Sequence, residues 1–197
     1  VSLDWTSLTD SELATLSIAG RQAAFGEIMR RYRQPVFRLA RACTGEPDEA
    51  LDLVQETFVS AHQALSRYDA QRSMKAWLSA IAINKCRDWG RKRTVRRFLS
   101  FALPLDGQAE AVVDEEPAAD AAAADRQELA RVTRAIATLP MNLKEVLVLR
   151  TIEGLSQAET ADVLGVSQKA VETRLYRARA RLVEKLNAAQ GVGSPFA

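Results

Sequence analysis

Histidine occurs once in these 197 residues and cysteine twice, at Cys43 and Cys86. The cysteines form neither a CxxC pair nor a disulfide framework, and His62 has no clustered ligand partners. No metal, cofactor or histidine-dependent catalytic centre is therefore expected. Glycine and proline are scarce, at nine and six, while alanine, leucine, arginine and glutamate abound. So few turn formers exclude a many-stranded β protein and predict an all-α chain. No apolar run approaches the ~18 residues a membrane-spanning helix needs. No basic segment followed by an apolar stretch opens the sequence either, so a soluble cytoplasmic protein without membrane insertion is expected. Paired carboxylates, activated nucleophiles and phosphate loops are all missing, which argues against an enzyme.

What the sequence has is charge, unevenly placed. The whole chain carries 27 basic and 25 acidic side chains, a net +2. Residues 1–97 hold 16 basic and 11 acidic, residues 98–126 hold one and seven, and residues 127–197 hold ten and seven. Two basic modules thus flank an acidic connector. That connector contains Pro104, Gly107, Pro117, the run Asp114 to Glu116 and an alanine tract, with no apolar period. The expectation is two small helical domains, 1–97 and 127–190, joined by a flexible acidic linker, 98–126, with a disordered tail, 191–197.

In the first module Thr9 and Glu12 form a capping box that opens a short helix ending near Gly20. Phe25, Ile28, Met29, Tyr32, Val36, Leu39, Ala40 and Cys43 then recur at helical spacing, with Pro35 predicting a kink or break. A third helix follows Pro47, with Asp48 and Glu49 at its positive end, and is expected to bury Leu51, Val54, Phe58, Ala61 and Leu65. Its opposite face, Asp52, Gln55, Glu56 and Val59, is either a solvated surface or a docking face. After a loop from Arg67 to Ser73 comes a long helix that packs through Met74, Trp77, Leu78, Ile81 and Ala82. Between Arg87 and Arg97 this helix carries six cations against Asp88 alone, with Trp89 interleaved. Such a run is either a solvated face or a seat for phosphate, which would relieve its self-repulsion. Asn84 faces the same way as Arg87, Asp88 and Arg91, so its amide can read a base edge while the cations hold backbone phosphates.

In the second module, helical patterns over Gln127 to Thr138 and Asn142 to Glu153 precede SQAETADVLGVSQKAVETRLYRARAR, residues 156–181. Ser156 caps one helix, Gly165 makes a tight turn and Ser167 caps a second helix. This is helix-turn-helix patterning, with Ala161 small at the crossing. In the second helix Val171, Leu175, Ala178, Leu182 and Leu186 form an inward stripe. Lys169, Thr173, Tyr176 and Arg177 point away, and Arg174, Arg181 and Lys185 flank the stripe. The helix is either a DNA reader or a merely structural amphipathic one.

Taken together, LDLVQETF at Leu51 to Phe58, WLSAIAIN at Trp77 to Asn84 with its basic run, and the helix-turn-helix resemble the extracytoplasmic-function class of bacterial sigma-70-family sigma factors. The resemblance spans nearly the whole chain and implies an alternative, non-catalytic sigma factor. By it, residues 1–97 look like region 2 and residues 127–190 like region 4. It places Asp52, Gln55, Glu56 and Val59 on the face that docks to the β′ clamp helices of core RNA polymerase. It implies that Asn84, Arg87, Asp88, Arg91 and Lys92, with the loop Arg67 to Ser73, open and capture the minus-ten element. Lys169, Glu172, Thr173, Arg174, Arg177 and Arg181 match positions that meet the minus-thirty-five duplex. Its implied partners are core polymerase, including the β flap, promoter DNA and an anti-sigma factor, with stress response as the setting.

This sequence departs from the family's pattern at Glu172, often a cation there, and at Lys169, often Gly. Glu172 either accepts from cytosine N4 or pairs with Arg179. The acidic connector either threads through the polymerase, stays disordered, or folds back on Arg91 to Arg97. Two other function classes remain open: a helix-turn-helix regulator acting without polymerase, and a sigma-like decoy that sequesters an anti-sigma factor.

Overall fold

A computed structural model describes residues 4–102 and 121–189. Among these residues there are eight α-helices and no strand. Helix α1 (Asp10–Ile18) begins at the anticipated box: the Thr9 amide donates to Glu12 Oε2 at 2.7 Å and the Glu12 amide to Thr9 Oγ1 at 3.3 Å. These bonds occupy donors that the first helical turn leaves without partners.

Helix α2 (Gln22–Thr44) runs through Pro35, so of the expected kink or break the break does not occur. An interior proline costs about 3 kcal/mol. Here the apolar stripe on either side of it, including Phe25, Ile28, Val36, Leu39 and Cys43, is buried against neighbouring helices and outweighs that cost. Gly45 ends the helix at φ +84°, in the left-handed region. A Cβ built there would lie 2.9 Å from Ala137 Cβ, so glycine is required both by the backbone and by the close approach of the second module.

Helix α3 (Pro47–Ala64) starts with proline at its first position and acids in its first turn. Leu51, expected in the core, is 40% exposed, and Ala50, Leu53, Val54, Thr57, Phe58 and Ala61 are buried instead. One residue is ~100° of helical rotation, and the buried arc centres on the Ala50, Val54, Phe58 and Ala61 line, which turns Leu51 outward. Helix α4 (Met74–Ala102) buries Met74, Leu78, Ala82, Ile83 and Cys86. Val95, Phe98 and Leu99, in its last turns, are exposed.

The second module comprises α5 (Ala121–Ala137), α6 (Met141–Leu147), a π turn over Val148–Ile152, α7 (Gln157–Leu164) and α8 (Gln168–Ala189). The segment Asn142 to Glu153 is thus a helix whose last turn widens. The modules pack directly on each other: α2 meets α5 and the π turn, and α4 meets α7. Both α4 and α5 extend into the expected connector, whose residues 103–120 lie outside the described residues. So do the expected tail and any contact of Asp114 to Glu116 with the basic run.

Candidate nucleic-acid interface and the seam between the modules

On α3, Asp52, Gln55, Glu56 and Val59 form one exposed face. Glu56 lies 3.7 Å from Lys85 of α4, an ion pair at the surface. Beside this face a groove is lined by Phe25, Met29, Phe58, Val59 and His62. His62 stands edge-on to Phe25, with ring centroids 4.8 Å apart.

On α4, Asn84 is exposed and Arg87 is half-buried. The Arg87 guanidinium donates from Nη1 to Asn84 Oδ1 at 3.3 Å and from Nε to Glu145 Oε2 at 2.8 Å. The cationic run is therefore not unopposed: Arg87 is balanced from α6, on the other module, and Arg91 pairs with Asp88. Arg93 sits over the Trp89 ring at 5.1 Å, and the Trp89 indole donates to Glu49 Oε2 at 2.7 Å, which fixes the ring against α3. Lys92 and Arg96 are exposed to solvent. In the preceding loop, Tyr68 donates to the Arg72 carbonyl at 2.7 Å and the Gln71 amide to Asp69 Oδ1 at 2.9 Å. Arg72 reaches to 3.6 Å from Asp162 of α7.

The helix-turn-helix forms as its spacing predicts. Ser156 and Glu159 cap α7 reciprocally, Gly165 turns at φ +65°, and Ser167 Oγ accepts the Ala170 amide at 3.2 Å. Gln157 Nε2 donates to the Gln168 carbonyl at 2.9 Å, tying the two helices together. Val171 and Ala178 are buried and Leu175, Leu182 and Leu186 half-buried, so the stripe faces inward. Lys169, Glu172, Thr173, Tyr176, Arg177 and Arg181 are exposed. Glu172 pairs with Lys169 at 2.9 Å rather than with Arg179, because residues three apart share a helix face, as 172 and 169 do. Arg174 is the exception in the set: it is half-buried, 4.0 Å from Glu145.

Sequence reasoning missed the seam that brings Arg87 and Arg174 to one carboxylate. Three charged residues of the second module are buried there: Lys144 (6% exposed), Glu145 (3%) and Glu153 (2%). Lys144 donates to the Cys43 carbonyl at 2.9 Å and the Ala137 carbonyl at 2.6 Å, bridging the ends of α2 and α5. Desolvation pushes its pKa down. Arg87 gains from its pairing with Glu145, which raises its pKa further. Next to this seam the buried thiols Cys43 and Cys86 are free, and contact with Cys43 together with burial raises the Cys86 pKa. One signal was readable: Lys144 and Glu145 interrupt an apolar run between Leu143 and Val146. A charged pair in a buried stripe announces partners elsewhere.

Glu153 lies 3.7 Å from Lys75 and 3.9 Å from Arg38, yet neither of its carboxylate oxygens makes a hydrogen bond. Burial outweighs both cations and raises its pKa. The neutral acid is thus favoured in the fold, and this group's stabilising contribution is complete below the ordinary carboxylate range and lost as pH climbs through the raised value. Glu153→Gln, which mimics the neutral acid, is expected to match the parent in urea unfolding near pH 4.5. Its advantage should widen as pH rises to 7.5. An advantage that instead shrinks with rising pH contradicts the assignment.

Among the described residues no cluster of His, Cys, Asp and Glu could hold a metal ion, and no helix is long and apolar enough to cross a membrane. A family model for Sigma-70 region 2 matches residues 28–96, and one for Sigma-70, region 4 matches residues 129–182. The chain is 42% identical over 181 residues to the RNA polymerase sigma factor CnrH of Cupriavidus metallidurans, covering 91% of this chain and 95% of that protein. It is 33% identical to the ECF RNA polymerase sigma factor SigM of Mycobacterium tuberculosis, covering 90% of this chain and 85% of that one. Among solved structures it is similar to CnrH in complex with the cytosolic domain of CnrY, with TM-score 0.66, 36% identity and coverage of 91% and 97% of the two chains.

Proposed function

This chain belongs to the sigma-70 family as an extracytoplasmic-function sigma factor, and from that membership we propose that it directs core RNA polymerase to two-element promoters and opens them. It performs no covalent chemistry, acts in the cytoplasm and is held in check by an anti-sigma factor. The complex of the similar CnrH with the cytosolic domain of CnrY supports that last reading.

What supports the proposal is that three sets of polar side chains, on α3, α4 and α8 of one chain, are largely exposed. The α3 face of Asp52, Gln55, Glu56 and Val59 takes the β′ clamp helices. Asn84 on α4, backed by Arg87, Asp88, Arg91 and Lys92, captures a base flipped from the minus-ten strand, repaying an unstacking cost of a few kcal/mol. On α8, Lys169, Glu172, Thr173, Arg174, Arg177 and Arg181 enter the minus-thirty-five major groove, while the β flap carries this module. Residues 1–97 and 127–190 act as the two modules that meet the two promoter elements. The Lys169–Glu172 pair lets a carboxylate approach DNA with its charge balanced, so that Glu172 accepts from cytosine N4.

Run-off transcription with purified core polymerase on genomic fragments tests the assignments. Asn84→Ala is expected to bind the promoter with core enzyme but fail to open it, read as lost permanganate reactivity of minus-ten thymines. Arg177→Ala is expected to weaken upstream recognition about tenfold, one lost base or phosphate contact being worth about 1–3 kcal/mol. If both variants transcribe like the parent, these residue roles are wrong.

A further inference from the structure

We propose that Glu145 is an internal latch: its buried carboxylate, beside Arg174 of its own module, holds Arg87 across the seam, keeping the free chain closed and both cations away from DNA. The inference rests on the assignment of Arg87 and Arg174 to the two promoter elements. Arg87 approaches Glu145 Oε2 with both Nε and Nη2 at 2.8 Å, and Arg174 Nη1 lies 4.0 Å from Oε1. Asn84 is drawn in as well, because its amide oxygen accepts from the same Arg87 guanidinium. A carboxylate and a phosphate compete for the same fork of guanidinium donors. Glu145 therefore stands where nucleic acid would.

Geometry makes the closed form incompatible with promoter recognition. Elements named for positions ten and thirty-five are about 25 base pairs apart, roughly 85 Å at 3.4 Å per base pair. Two guanidiniums within 4.0 Å of one carboxylate cannot each sit on its own element. The modules have to part before both elements are engaged.

An apolar cluster runs through both modules, and the charged groups buried beside it lower the cost of parting. These groups include Lys144, Glu145 and Glu153, all of which regain water on opening, and Glu153 has no hydrogen bond to lose from its carboxylate. Ion pairs of this kind trade Coulomb attraction against desolvation and nearly balance, unlike an apolar interface of the same area. Among them Glu145 is the carboxylate that touches both DNA-assigned cations, which singles it out as the latch.

Glu145→Gln keeps the shape and removes the charge. Two readouts without polymerase test it: the radius of gyration by small-angle X-ray scattering, and anisotropy of a fluorescein-labelled random-sequence 20-nucleotide single strand. The variant is expected to expand and to bind the strand about three- to tenfold more tightly. Its salt dependence should steepen by about 0.7 in log K against log salt for each further phosphate that the released cations neutralise. Arg87→Gln, which removes the same pair from the other module, should likewise expand the chain, with affinity for the strand at the parental level or below because a cation is lost. A Glu145→Gln chain with parental size and parental affinity overturns the latch, provided circular dichroism shows it folded. A folded Arg87→Gln chain with parental size overturns it equally. The underlying assignment is tested separately: if Arg87→Ala opens promoters normally with core polymerase, the role of Arg87 on DNA is wrong whatever Glu145→Gln does.

Discussion

Reversing two charges on α3, Asp52→Lys together with Glu56→Lys, is expected to abolish initiation by core polymerase while leaving the helical fold intact. Both side chains are exposed, and the contact either of them makes to another charged group is the surface pair of Glu56 with Lys85 at 3.7 Å. Surface substitutions of this kind shift stability by about 0.5 kcal/mol or less. At a docking face the same reversal places like charges opposite one another, at a cost of several kcal/mol. Each 1.4 kcal/mol is a factor of ten in affinity, so core binding should weaken by about a hundredfold or more. The readouts are a binding titration with core enzyme and a run-off assay, with circular dichroism as the control. A double variant that initiates within twofold of the parent would place the polymerase contact elsewhere.

Lys144→Met is expected to destabilise the fold at the seam. Met fills the same volume but leaves the Cys43 and Ala137 carbonyls, at the ends of α2 and α5, without their donor. An unsatisfied buried acceptor costs about 1–3 kcal/mol. Relief of the desolvation that depresses the Lys144 pKa returns part of this. A net loss of about 2–3 kcal/mol follows, and at roughly 2–4 °C per kcal/mol for a chain of this size Tm should fall by about 4–12 °C. The modules should also part more readily, so scattering on the variant below its Tm should show expansion. An unchanged Tm would mean that water replaces the ammonium at no cost.

The capping box at Thr9, the N-cap at Ser156, the turn at Gly165 and the inward stripe of α8 were legible because each depends on residues a few positions apart. Side-chain spacing and backbone hydrogen bonding decide such features locally. The continuation of α2 through Pro35 and the exposure of Leu51 were not legible, for the opposite reason. Whether a proline breaks a helix, and which arc of a helix is buried, depends on what packs against it from distant sequence. The basic run of α4 was read as unbalanced because Glu145 lies 58 positions from Arg87. Glu172 pairs with Lys169, one helical turn away, rather than with Arg179 two turns away, a difference that side-chain reach decides. The candidate residues of α3 and most of those of α8 emerged on exposed faces as their helical phases require, whereas Arg87 is held at a seam that only the packing of two modules creates, and Arg174 by α6 of its own module.

The most direct measurement of the central claim is the affinity of the purified chain for core RNA polymerase, taken by biolayer interferometry with the enzyme immobilised. The account predicts saturable binding with Kd on the order of nanomolar, about −12 kcal/mol, competed by a known sigma factor. No binding at micromolar concentrations of folded protein would contradict it.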